Sequence, residues 1–245
     1  MNSQAKLPAF LNADTIHFPE PADALSDPDG LLAIGGDLSK ARLIHAYHKG
    51  IFPWFAEEEP ILWWSPSLRA VLPPQDFHLS RSLKKLIKKQ VFQVTVDHCF
   101  NKVMRCCAKA HAHQGTWITE EMIQAYTTLY DAGHAHSIEV WQHGRLVGGL
   151  YGVNTGTIFS GESMFQTTSN ASKLAFAALA ALLRRWEATL IDCQLLNSHL
   201  VTLGVSNISR DSYLQLLEHS RNNNQLDQYW PQANEMVIES LASYF

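Results

Sequence analysis

The chain has 245 residues, enough for one large or two modest domains with real cores. Its hydrophobic content of 46% and charged content of 17% are ordinary for a globular protein. The net charge of −4 argues against wholesale nucleic-acid coating but leaves room for a local basic patch. The N-terminus MNSQAKLPAFLNADTIHF has no apolar run behind its lysine, so it does not read as a signal peptide. The most apolar helical run, LAFAALAALL from Leu174 to Leu183, is too short to cross a bilayer. The spacing of Cys99, Cys106, Cys107 and Cys193 matches no zinc pattern. Reduced, mostly buried thiols in a cytoplasmic protein with no membrane partner are the expectation.

In chain order, the first sixty residues are rich in Pro and Gly and read as loops and turns, with Pro28-Asp29-Gly30 a strong turn signal. A helix is expected over LSKARLIHAYHK, capped by Asp37 or Ser39 and closed by Gly50. GIFPWF and PILWWSP place Trp54, Trp63 and Trp64 among prolines, and a domain junction is expected near residues 59–65. HLSRSLKKLIKK reads as a helix with Leu83, Leu86 and Ile87 on one stripe. Arg81, Lys84, Lys85, Lys88 and Lys89 make five of nine residues basic, without the acidic i,i+4 partners of an ordinary solvated helix face. A contact with a polyanion is as good a reading as a solvated face.

VFQVTVD then alternates as a strand, and FNKVMRCCAKA reads as a helix. Thr119 is placed to cap a second helix, EEMIQAYTTLYDAG, with Glu120 and Glu121 at its positive end and Gly133 at its close. Three strands are expected at HSIEVWQ, RLVGGLYGV and TIFSGESMF. A helix from near Asn170 leads into the short strand LIDCQ, and VSNISRDSYLQLLEHS supplies a last strand and helix. The order from Val91 onward predicts an α/β or α+β domain on a mostly antiparallel sheet, as in GNAT-type acyltransferases. Such folds usually hold coenzyme A on a glycine-rich turn opening the central helix, but FQTTSNASK has no glycine there. An acyl donor other than coenzyme A is therefore expected.

LIDCQ raises a chemical question. Strand alternation puts Asp192 and Gln194 on one face and Cys193 on the other. If that face is buried, both polar groups need partners, and a satisfied structural network competes with a catalytic role. Cys193 then points away and is a poor candidate nucleophile. His134 and His136 share a face at a strand start, but no third metal ligand lies nearby in sequence, so no metal is expected.

GLLAIGGDLS, GIFPWF, PILWWSP, TWIT, AHSIEVW, LVGGLYGV, FSGESMF, NASK and LIDCQ occur in this order between Gly30 and Gln194. Together they resemble the leucyl/phenylalanyl-tRNA–protein transferase family, over about residues 16–213. The segment after Leu217 carries none of these motifs. The resemblance implies a small N-terminal α/β domain, residues 1–62, and a GNAT-like catalytic domain, residues 63–245. It also implies transfer of Leu or Phe, with Met a further candidate, from aminoacyl-tRNA to proteins beginning with Arg or Lys. That is a step of bacterial N-degron degradation, and it needs no metal or cofactor.

Roles follow from that chemistry. An α-amino group is already partly neutral at pH 7, so a base has modest work to do. By resemblance, Asp192 and Gln194 act on the amine, and Tyr126 is a candidate to assist the ester. Leu150, Phe159 and Met164 have ordinary core as their plain reading, and the resemblance makes a donor pocket of Phe159 and Met164. Glu162 and Ser163 stand between these two, and Glu162 is open to three roles: binding the ester's amino acid, binding the terminal ribose, or attracting the acceptor's cation. Trp54 and Trp117, with Tyr47, are candidates to flank the terminal adenosine, with interface packing equally open. Arg81 to Lys89 is the expected tRNA contact. An acyltransferase with a different acceptor, and a tRNA-binding module without catalysis, are the alternatives.

Overall fold

Several helices start where the sequence supplies a cap. Ser39, Ser80 and Thr119 each accept a bond from the backbone N–H three residues on, at Arg42, Leu83 and Met122. These caps open α1 (Lys40–His48), α2 (Arg81–Lys88) and α4 (Glu120–Asp131). Gly50 and Gly133, both at positive φ, follow the ends of α1 and α4. The chain, seen in a computed structural model, is described over residues 7–112 and 115–233.

The first sixty-odd residues hold more regular structure than their prolines suggest. The strands β1 (Ala9–Leu11), β2 (Leu31–Gly35), β3 (Phe52–Pro53) and β4 (Leu62–Trp64) form a sheet in the order β1-β2-β4-β3. Stretches expected to be irregular are thus paired: Phe52 opposes Trp64, and Pro53 opposes Trp63. Proline is tolerated because the strands are very short and β3 lies at the sheet edge. The chain leaves this sheet after Trp64 and enters the second at Leu68, so a division at 62/63 would cut β4.

The second sheet runs β11-β5-β10-β9-β8-β7-β6. Its strands are β5 (Leu68–Leu72), β6 (Gln93–Val96), β7 (Ala135–Gln142), β8 (Arg145–Thr155), β9 (Ile158–Gln166), β10 (Leu190–Gln194) and β11 (Ser206–Ser209). All neighbours are antiparallel except β9 and β10. The remaining helices are α3 (Phe100–His111), α5 (Ala171–Arg185), α6 (Ser198–Val201) and α7 (Arg210–Ser220). From β6 the order is strand, two helices, three strands, helix, strand, as expected of a GNAT-like unit. β5, with the sequence LRAVL, precedes that order in the chain and pairs between β10 and β11.

Successive residues of β8 serve two cores. Leu150 packs with α2 and α5, while Tyr151 packs with α3, α4 and the N-terminal residues Tyr47, Phe52 and Trp63. The small sheet therefore has no separate core. The segment after Leu217 also contributes, since Leu226 and Trp230 are buried in the α5 core. Trp230 stacks on His136 at 4.1 Å between ring centroids, and Asp97 binds the His136 Nδ1 at 2.7 Å. No helix among the described residues is long and apolar enough to cross a membrane.

Two bulges break the strand alternation. Across β8–β9, Tyr151 opposes Ser163 while Gly152 opposes Gly161, which leaves Glu162 as the extra residue. Across β10–β5, Asp192 opposes Val71 and Gln194 opposes Ala70, which leaves Cys193 over, and Gln194 takes φ +60. Gly152 is required here, because a Cβ on it would lie 2.2 Å from the carbonyl oxygen of Ser160.

Candidate active site

The parallel pairing of β9 with β10 stops at Ser160 and Asp192. Beyond that point a cavity of about 570 Å3 opens, bordered by Gly161–Met164 on one strand and Cys193–Leu195 on the other. Its floor is apolar, made by Leu150, Met164, Phe176, Leu179 and Leu200. Its rim carries Phe52, Pro53 and Trp54 from the small sheet, with Trp117 and His111. Trp54 is 45% exposed, and its carbonyl accepts the Trp64 indole N–H at 2.7 Å. The size is that of a small-molecule site with a few convergent polar groups.

Glu162 and Gln194, each at a bulge, meet across the opening. Gln194 Nε2 donates to Glu162 Oε1 at 2.6 Å, and Tyr126 OH donates to Glu162 Oε2 at 3.3 Å. The Tyr47 and Tyr126 hydroxyls are bonded to each other behind it. Burial lifts the Glu162 pKa to about 7, with the Asp192 charge adding to the rise and the tyrosines and Arg69 opposing it. Burial raises both phenols well above 10, so Tyr47 and Tyr126 stay neutral and donate.

Asp192 is fully buried, and every one of its lone-pair directions is engaged. Its Oδ1 accepts from Arg69 Nε at 2.7 Å and from the Gln194 backbone N–H at 2.9 Å. Its Oδ2 accepts from Arg69 Nη2 at 2.7 Å, and from Ser160 and Tyr213 at 3.0 Å each. Burial alone would raise its pKa, but the Arg69 charge and these bonds outweigh it and hold the group ionised below the usual carboxylate range.

The expected residues therefore separate into three groups. Leu150, Glu162, Ser163, Met164, Trp54, Trp117 and Gln194 border the cavity. Tyr47, Tyr126 and Asp192 lie behind its wall, joined to it through Glu162 and Gln194. Phe159 lies outside the lining; it is wholly buried, with its ring 5.4 Å from that of Trp230. Cys193, expected to face away, borders the cavity because of its bulge, and burial pushes its thiol far up, so it is no nucleophile. Arg81, Lys84, Lys85, Lys88 and Lys89 are all exposed, while Leu83 and Ile87 anchor α2 in the α5 core.

Two participants escape a reading of the sequence. Arg69 lies in β5, between the elements expected from the sequence, and Tyr213 reads only as part of a helix. The one signal on offer is Arg69 itself, a charge alone within the apolar run LRAVL.

Comparison with known proteins bears on what the arrangement does. A family model described as leucyl/phenylalanyl-tRNA protein transferase matches residues 71–218, and the model for that family's N-terminal domain matches 36–67. A Pectobacterium carotovorum protein called leucyl/phenylalanyl-tRNA–protein transferase is 56% identical over 84% of this chain and 88% of its own. One of the same name from Cellvibrio japonicus is 53% identical over 86% and 90%, and one from Shewanella baltica 50% over 94% and 98%. Among solved structures, L-PGS from Bacillus licheniformis superposes with a TM-score of 0.39 at 11% identity, covering 68% of this chain and 54% of that one, too slight a likeness to argue from. With half or more of its residues shared over nearly its whole length, the chain belongs to the leucyl/phenylalanyl-tRNA–protein transferase family and is an aminoacyltransferase.

Proposed function

We propose that the enzyme moves Leu or Phe, and Met as a further donor residue, from aminoacyl-tRNA to the α-amino group of cytoplasmic proteins beginning with Arg or Lys, marking them for N-degron degradation. The observation that carries the reading is Glu162, held between Gln194 and Tyr126 at the wall of a largely apolar cavity. The apolar floor of Leu150, Met164 and Phe176 suits the donor side chain, with flexible Met164 accommodating both Leu and Phe. Trp54 and Trp117, on the rim, suit the terminal adenosine, which stacks on aromatic faces without regard to base. The exposed cations of α2 suit tRNA phosphates. Neither a metal nor a coenzyme has a part in this reading.

In the reaction the amine nitrogen bonds to the ester carbonyl carbon, the bond from that carbon to the ribose oxygen breaks, and the amine's proton ends on the ribose hydroxyl. Glu162 titrates near neutrality, so it can accept the ammonium side of the acceptor as a carboxylate and hand a proton on as an acid. Asp192 acts through Gln194, whose backbone it holds, rather than by touching the amine. Leu150 completes the donor floor, Ser163 lines the cavity beside Glu162, and Phe159 is core packing outside the lining.

The test is transfer from a panel of charged tRNAs to peptides that differ only in their first residue, with wild type and Glu162→Gln. Labelled Leu and Phe on Arg- and Lys-leading peptides, lost in the variant, is the expected result. Indifference to the first residue would favour an acyltransferase with another acceptor.

A further inference from the structure

Arg69 is only 1% exposed, and all edges of its guanidinium are used. Nε and Nη2 take the two oxygens of Asp192, each at 2.7 Å, while Nη1 donates to the Gly50 carbonyl at 3.1 Å. The rings of Phe52 and Tyr213 lie over its central carbon at 4.8 and 4.5 Å. The two acceptors lie outside the cavity lining but hold different parts of it. Gly50 leads directly into Phe52–Trp54, which form the small-sheet rim. Asp192 fixes the Gln194 backbone, and Gln194 reaches Glu162 on the neighbouring strand β9. Stability alone is a poor reason for such a pair, since well-packed apolar residues of similar volume often do as well or better.

We propose that Arg69 is a positioning residue for the transfer reaction: by bridging Gly50 and Asp192 it sets the cavity wall that carries Trp54 against the wall that carries Gln194 and Glu162. The proposal rests on the transfer reading above. It requires a planar fork with three directed donors, which the single flexible ammonium of a lysine does not reproduce.

The experiment uses full-length Arg69→Lys, Asp192→Asn and the double variant, with leucyl-tRNA as donor and an Arg-leading peptide as acceptor. Arg69→Lys keeps the charge and loses the fork. Its kcat is expected to fall about 10²-fold, the cost of misplacing reacting groups by about 1 Å, with the KM for leucyl-tRNA near the wild-type value. The double variant is expected to be no slower than the slower single one, because the two residues act as a unit. A further variant, Arg69→Met with Asp192→Leu, removes both charges at similar volume; it is expected to melt at or above the wild-type temperature and still not transfer. A folded Arg69→Lys with wild-type kcat, or an apolar pair that transfers normally, overturns the proposal. Wild-type protein that uses other first residues but neither Arg nor Lys overturns the acceptor assignment alone, and the Arg69→Lys comparison is then read on the acceptor that works.

Discussion

Asp192→Asn removes a charge from a pair in which neither side chain reaches solvent, and so strands the Arg69 cation. Breaking such a pair from one side costs about 3–5 kcal/mol. The variant is therefore expected to melt earlier and to transfer more slowly at the same time. A lowered melting temperature does not make Asp192 merely structural. The discriminating measurement is charged-tRNA affinity on folded protein at low temperature, expected to change little because Trp54, Trp117 and α2 do not touch Asp192. Glu162 is the opposite case. Between pH 4.5, its ordinary value, and about 7 the native protein holds a proton that the unfolded chain has released. Its contribution to stability is therefore full below about pH 4.5, falls as pH rises, and levels off above 7, an ionisation cost on the order of 3 kcal/mol. Glu162→Gln, neutral throughout, is expected to gain melting temperature relative to wild type between pH 5 and pH 8. The wild-type transfer rate should show an inflection near pH 7. A melting difference that does not vary with pH would refute the assignment.

Among the elements, α2 separates two jobs on its two faces. Leu83 and Ile87 are buried against α5, and the five cations face outward. Neutralising Lys84, Lys85 and Lys88 should leave the fold intact. It should flatten the log–log salt dependence of tRNA binding by about 0.9 per lost duplex contact, or about 0.7 per single-strand contact. An unchanged slope would remove α2 from the interface. This helix is fully legible in the sequence, as are α4 and the β7–β8–β9 meander, because caps, stripe spacing and turns are local signals. Two kinds of feature are not. LRAVL between prolines carries no cue that it will pair with β10, more than a hundred residues away, so Arg69 escapes notice. Strict period-2 alternation also assumes an unbroken ladder. Each bulge shifts the count by one residue, turning Cys193 to the cavity and setting Glu162 and Gln194 face to face. Asp192 and Gln194 stand out as candidates in the sequence, and their different placement, one behind the wall and one on the cavity, becomes visible only with the bulge between them. Phe159 differs from its expected place for a related reason: sequence nearness to Met164 does not put it on the cavity lining.

Across the whole molecule, the cavity draws on both cores, with Phe52 from the one the small sheet shares and Leu150, Phe176 and Leu179 from the α5 core. Met164 and Leu150 come from the meander, Phe176 and Leu179 from α5, and Phe52–Trp54 from the small sheet. No single element can be reshaped without the others. Met164→Trp adds bulk to the floor and is expected to reduce transfer of Phe more than of Leu, by roughly 1–3 kcal/mol in relative kcat/KM. Equal losses for the two donors would indicate general disruption instead. The apolar floor has a consequence for a reaction that must not happen. The ester that an amine attacks is one that water also cleaves, and water is always the more abundant nucleophile. A donor side chain seated on Leu150, Phe176 and Leu179 fills the space in which a water would need polar partners to reside. Of the polar groups that line the cavity, Glu162 is already engaged by Gln194 and Tyr126. In the proposed reading, fidelity between making a peptide bond and wasting a charged tRNA rests on the dryness of the floor as much as on the reactivity of its rim.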